Sequence, residues 1–268
     1  MRGPRAGRAV SLVIAAIATL TAARAGAQHD HHHGGEPAGD GEAASAPRPF
    51  AIALTVLGAR FDQELYRGDY VGLGLAVAWH RGRVGVSATL PAYHLRKNGA
   101  ALDGIGDVTV GVDVVAHRAG ALSAGLALGS TLPTGASVTG LGMGHPMLMP
   151  ALWVARVDVR SSLAISAGWC RAVGTSADHD HGAWPLVAPM SSSELMADVR
   201  GEVAIAGHVH ATARVALALP LADDPTRVVA AIGGRWRGPR TETGAELQAG
   251  LAGDPFTIRA LITSAVRF

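Results

Sequence analysis

From Phe50 to Phe268 the chain is a succession of stretches in which apolar residues alternate with small or polar ones, and Gly, Pro, Asp or Asn marks each break. Alternation at period two sends successive side chains to opposite faces of a strand. Twelve strands are predicted, near 50–60, 70–80, 83–93, 105–117, 121–132, 148–159, 161–172, 193–206, 208–219, 226–237, 240–251 and 256–268. They exceed the usual globular strand of about 5–6 residues and match the roughly 9–11 that a tilted membrane strand needs. Nothing after residue 49 carries a comparable helical period.

The faces sort cleanly. In 208–219, Val209, Ala211, Ala213, Val215, Leu217 and Leu219 oppose His210, Thr212 and Arg214. In 193–206, Leu195, Val199, Val203 and Ile205 oppose Glu194, Asp198, Arg200 and Glu202. In 105–117, Val108, Val110, Val112 and Val114 oppose Asp107, Thr109, Asp113 and His117, and in 240–251, Ala245, Leu247 and Leu251 oppose Glu242, Glu246 and Gln248. A soluble antiparallel sheet also alternates. Here the apolar faces run through all twelve segments while charge collects on the other side. That is the pattern of an all-β transmembrane antiparallel barrel, with lipid outside and a polar interior. The expected lumen set is Asp107, Asp113, Arg156, Asp158, Arg160, Glu194, Asp198, Arg200, Glu202, Arg214, Arg235, Arg237, Glu242, Glu246 and Arg259. A narrow lumen needs its charges compensated. Asp107 is therefore expected to pair with an inward Arg, and the glutamates with Arg156, Arg160, Arg200, Arg214, Arg235 and Arg237.

The links alternate in length. Those at 81–82, 118–120, 160, 207 and 238–239 are short, whereas 61–69, 94–104, 133–147 and 173–192 are long and 220–225 and 252–255 intermediate. Outer-membrane barrels have short periplasmic turns and longer extracellular loops, so both ends of the barrel chain fall on the periplasmic side. Two aromatic girdles are expected. Phe50, Trp79, Trp236 and Phe268 would form one, and Phe61, Tyr66, Tyr70, Tyr93, Trp169 and Phe256 the other; Trp153, in mid-strand, fits neither.

Residues 1–27 read as a secretory signal, with Arg2, Arg5 and Arg8, an apolar run over 9–20 and the small-residue site Ala25-Gly26-Ala27. Its removal takes four arginines and no acid, turning the formal charge from +2 to −2. The basic balance that nucleic-acid binding would need disappears with it. Residues 28–49 read as a flexible periplasmic leader and 50–268 as the barrel. One Cys excludes a disulfide framework. The last strand carries Ile258, Ala260, Ile262, Ser264, Val266 and Phe268 on one face, with Arg259 and Arg267 opposite. It resembles the C-terminal assembly signal of bacterial outer-membrane proteins, which implies the barrel-assembly machinery and the outer-membrane bilayer as partners.

Histidine is abundant, at 12 residues. The leader holds His29, Asp30, His31, His32 and His33, and the longest predicted outer loop holds Asp178, His179, Asp180 and His181. Imidazole with carboxylate suits Zn, Cu, Ni or Co. His94 and His145 fall in two other predicted outer loops.

Three stretches carry a family resemblance. Gly104-Ile105-Gly106-Asp107 opens a strand, Leu132-Pro133-Thr134-Gly135 follows the next, and Gly140-Leu141-Gly142-Met143-Gly144 lies in a Gly-rich loop. This order resembles the outer-membrane barrel family named for the phenol meta-cleavage degradation pathway. The resemblance covers roughly 104–150 by motif and the rest by pattern. It implies a channel for small, often hydrophobic or aromatic compounds. Individually the glycines read as strand-end bends and Pro133 with Gly135 as a turn.

The reading is therefore a passive outer-membrane channel of about twelve strands that requires no cofactor. Twelve strands lie between a side-chain-filled eight and an open 16–18. Two alternatives stand beside it: a transition-metal-binding outer-membrane protein, and a closed structural or adhesive barrel. An enzyme is not expected, since Ser191, Ser192 and Ser193 at a loop–strand junction have no motif that frames a nucleophile.

Overall fold

The computed structural model describes residues 49–62, 67–174, 184–221 and 224–268. The signal segment, the leader with His29 to His33, the Asp178–His181 cluster and Tyr66 lie outside the described residues. Thirteen strands form one sheet that closes on itself: β1 (Phe50–Asp62), β2 (Arg67–Arg81), β3 (Val84–Lys97), β4 (Ala100–Ile105), β5 (Val108–Ala119), β6 (Leu122–Leu132), β7 (Met147–Val157), β8 (Ser161–Ala172), β9 (Ser193–Ala206), β10 (Val209–Pro220), β11 (Arg227–Arg237), β12 (Thr241–Ala252) and β13 (Ile258–Arg267). Every pairing is antiparallel, and all but β3 with β5 and β1 with β13 join strands consecutive in the chain. The seam is closed by β1 and β13, from Ala51 opposite Arg267 to Arg60 opposite Ile258. At its end, the Phe268 N–H donates to the Phe50 carbonyl at 2.8 Å.

β4 and β5 are halves of one crossing. Both pair with β3, β4 opposite residues 92–97 and β5 opposite 84–89. The barrel thus has twelve crossings. The interruption has a local cause. The Gly106 N–H donates to the Pro91 carbonyl at 2.9 Å, and in an antiparallel pair a residue's carbonyl and N–H face the same neighbour. Pro91 has no N–H to return, so the ladder lapses there. The expected outer loop at 94–104 is instead a hairpin. Its two-residue turn, Asn98-Gly99, takes φ of 47° and 88°, the mirror-image turn that matches strand twist. His94 accordingly lies on β3, 2.7 Å from Asp103.

The outward face is a belt of Leu, Val and Ile, among them Leu54, Leu75, Leu126, Leu152 and Ile262, all exposed. Such a belt is stable only against hydrocarbon. Ile232, 66% exposed, sits at the middle of β11. Ile232→Arg is expected to destabilise the barrel by about 2–4 kcal/mol, checked by urea unfolding in lipid vesicles.

The aromatic residues divide differently from the expectation. Phe50, Trp79, Trp236 and Phe268 stand exposed at the short-turn end. At the loop end, among the described aromatic residues of the expected girdle, only Trp169 is exposed on the outer wall, while Phe61, Tyr70 and Phe256 are buried and Tyr93 is half-buried. Strand parity decides this: Phe61 follows Thr55 and Ala59 on the inward face, and Tyr70 precedes outward Val71. Trp153 also faces inward, over a glycine. A Cβ at Gly125 would lie 2.5 Å from the Trp153 ring.

Candidate functional site: a clasped lumen

A cavity of about 430 Å³ lies within the barrel. Its lining runs from Ala51 and His80 at the short-turn end to Tyr70, Leu141 and Val187 at the loop end. The two sides of its wall differ in chemistry. β9 to β13 carry nearly all the charge. β1 to β8 present mostly small or apolar residues, such as Ala53, Thr55, Gly74, Thr89, Thr109 and Met149.

On the charged wall, Glu194 pairs with Arg227 and also accepts from the Ser191 N–H at 3.0 Å. Asp198 pairs with Arg214. Glu202 lies 2.7 Å from Arg237, 2.9 Å from His210 and 3.6 Å from Arg235. Glu242 lies 3.2 Å from Arg235 and 2.8 Å from Arg267. Glu246 is bonded to Gln248 and lies 3.9 Å from Arg200. Arg259 donates to Gln248 at 2.6 Å and sits over the Phe256 ring at 4.2 Å. In the turn before β13, burial raises the Asp254 carboxyl above the usual range, and nearby Arg259 partly offsets this.

Three expected lumen residues lie elsewhere. Arg156 falls on the outward register with Leu152 and Val154 and bonds Asp158 at 2.9 Å. Asp158 and Arg160 are exposed in the turn between β7 and β8. A rim arginine next to solvent can occupy the lipid-facing register without burying its charge, so alternation alone misplaces it. Arg200, Arg235 and Arg237 do meet glutamates as expected, Arg214 pairs with Asp198, and Arg227 and Arg267 take the places expected of Arg156 and Arg160. Asp113 faces inward, against His80 across Gly85.

At the loop end the three sequence motifs are one object. Among the described residues Asp107 bonds no arginine. Its carboxylate accepts from the Gly135 N–H at 2.9 Å and the Met143 N–H at 2.7 Å. The Thr134 hydroxyl donates to the Gly106 carbonyl at 2.9 Å and accepts from the Val108 N–H at 2.9 Å. Thr134 thus satisfies backbone groups on either side of the strand break, and Asp107 ties the loop to it. Gly142 is required by space, since a Cβ there would lie 2.4 Å from Asp107 Oδ1 and 2.7 Å from the Gly135 carbonyl oxygen. The clasp folds the 133–146 loop into the barrel.

The folded loop carries Leu141 inward. With Val187 from the 173–192 link, Leu141 joins Ala59, Phe61, Tyr70, Leu95 and Phe256 in a buried apolar cluster. The Val187 N–H donates to the Gly140 carbonyl at 3.1 Å, and Tyr70 Oη donates to the Val187 carbonyl at 3.4 Å. The loop end is therefore narrowed by two loops that hold each other. From sequence alone, Tyr70 and Tyr93 fall in a girdle and Thr134 and Leu141 in motifs without a place in the lumen, and Val187 is not singled out. Parity would have turned the tyrosines inward, but the loop contacts join residues some 50 to 117 positions apart. Among the described residues no three His, Cys, Asp or Glu gather in a geometry that would hold a metal ion.

No family model matches the chain, and no curated protein matches it. Solved structures do. The COG4313 outer membrane channel from Pseudomonas putida F1 superposes with a TM-score of 0.63 at 11% identity, over 84% of this chain and 97% of that one. The shared fold is a closed antiparallel β-barrel. The NanC porin (TM-score 0.55, 11% identity, 80% of this chain and 99% of that one) and the KdgM porin in complex with disordered oligogalacturonate (0.53, 8%, 81% and 99%) share it.

Proposed function

We propose that this barrel spans the outer membrane of a Gram-negative bacterium as a passive channel for small amphipathic solutes, entering past the clasped loops and leaving at the short-turn end. The observation that supports it is the divided cavity. An apolar or aromatic portion of a solute has Tyr70, Tyr93 and Leu141 to pass, while a polar group has the Arg and carboxylate wall of β9 to β13. Such a lumen favours compounds with both parts, and this agrees with the substrate class implied by the family resemblance at residues 104–150. The fold it shares with known channels and porins is consistent with passage rather than catalysis. No cofactor enters the mechanism. The test is single-channel conductance in planar bilayers together with swelling of liposomes by small aromatic and aliphatic solutes. Discrete conductance with solute-dependent swelling is the expected result, and silence in both removes the reading.

One observation favours a second reading. Leu141 and Val187 lie buried among aromatic side chains, so a barrel shut at its loop end, with those loops as the working surface, is what silence would support. Phe268, which ends the seam, is in this reading the residue taken up by the barrel-assembly machinery. Its deletion is expected to lower the assembled fraction on heat-modifiability gels without altering expression of the chain.

A further inference from the structure

Four of the chain's six methionines and its only cysteine meet at one place. Met147 and Met149 come from β7, Cys170 from β8, Met196 from β9, and Met190 from the link that enters β9. Met147, Cys170 and Met196 are almost wholly buried. Cys170 Sγ lies 3.9 Å from Met190 Sδ. Met149, Met190 and Met196 also border the cavity, so the cluster lies against the lumen wall. Elsewhere among the described residues the buried apolar side chains are Ala, Leu, Val, Phe and Tyr, with Met143 alone as a further methionine. Packing alone does not call for thioethers to be gathered here.

Thioether and thiol sulfur are soft ligands that select monovalent ions of the Cu(I) class over hard or borderline divalent ions. Thioethers are neutral and never protonated, so a site made of them holds such an ion without having to expel protons first. We propose that this methionine–cysteine cluster is a binding site for a soft monovalent cation of the Cu(I) class, set inside the barrel near its loop end. A bound ion ties Met190 of the 173–192 link to the walls formed by β7, β8 and β9, and so fixes the loop that carries Val187 into the lumen. The site differs in chemistry from the His and Asp clusters at 29–33 and 178–181. It stands whether or not the barrel conducts.

The experiment uses Ag(I), which is soft, monovalent and redox-inert. The folded full chain in detergent is titrated with silver nitrate in chloride-free buffer by calorimetry, with excess Zn(II) present to occupy imidazole. The expected result is saturable uptake of about one Ag(I) per chain with a shell of sulfur alone in X-ray absorption. Met149→Leu with Met196→Leu, a change that conserves volume, is expected to weaken binding at least about tenfold, while Met143→Leu leaves it unchanged. Heat-modifiable gel mobility shows that each variant is folded. Absence of uptake under Zn(II), equal affinity in the double variant, or loss of binding in Cys170→Ala alone with the methionine variants unaffected overturns the proposal.

Discussion

Asp107→Ala is expected to open the loop end of the barrel. Two backbone N–H groups of the 133–146 loop, those of Gly135 and Met143, end on this one carboxylate. Hydrogen bonds to a charged group contribute about 1.5–3 kcal/mol each. Removing both shifts the closed-to-open balance of the loop by roughly 3 kcal/mol, about a hundredfold in population. The strand pairings on either side do not involve the carboxylate, so the barrel itself stays folded. Single-channel recording should show longer open dwells and larger conductance for Asp107→Ala. Asp107→Asn keeps an acceptor and is expected to fall between the two. Conductance identical to that of the unaltered chain would show that the clasp does not control the opening. Thr134→Val tests the other half of the clasp and should act in the same direction, more weakly, because its bonds are to a neutral hydroxyl.

The second large effect is expected in the charged wall. Glu202, 4% exposed, is shared by Arg237, His210 and Arg235. Glu202→Leu removes one of the carboxylates beside Arg235 and Arg237 and leaves Glu242 to offset them. Breaking a buried pair from one side costs about 3–5 kcal/mol, and the lower end applies where the lumen admits water. A lower urea midpoint in vesicles checks the stability change. The lumen should also turn toward anions, read as a shift of reversal potential in a salt gradient. Glu202→Gln retains hydrogen-bonding capacity for Arg237 and should lose less stability while showing the same shift. An unchanged reversal potential in both variants would place the ion path away from β9 to β12.

Much of this architecture follows from alternation. A strand buried on one side by water-excluding lipid and on the other by a packed lumen must repeat every two residues. Strand number, the inward registers of β9 to β13 and the seam at Phe268 therefore follow from local order in the chain. So does the orientation of Leu54 or Ile232, whose neighbours two positions away share their environment. The same rule, applied to residue type instead of parity, misassigns two groups. Aromatic character places Phe61, Tyr70 and Phe256 in a girdle, whereas parity and the loops turn them into a plug. Charge places Arg156 in the lumen, although a long side chain at the rim reaches solvent from the outward face.

The motifs at 104–107, 132–135 and 140–144 can be recognised in the chain, but their purpose cannot be read there. Charge compensation alone assigns Asp107 an arginine; in the folded barrel it receives two amides from a loop about 30 residues further on. The missing N–H of Pro91 breaks the ladder, Thr134 satisfies the backbone there, Asp107 holds the loop, and Gly142 lets that loop close to van der Waals distance. Each of these dependencies crosses between strands, and so does the meeting of Met147, Met149, Cys170, Met190 and Met196. Alternation acts between residues two apart and survives in the sequence as a period. Contacts across the lumen join residues at no fixed separation, so only closure of the sheet decides which of them meet.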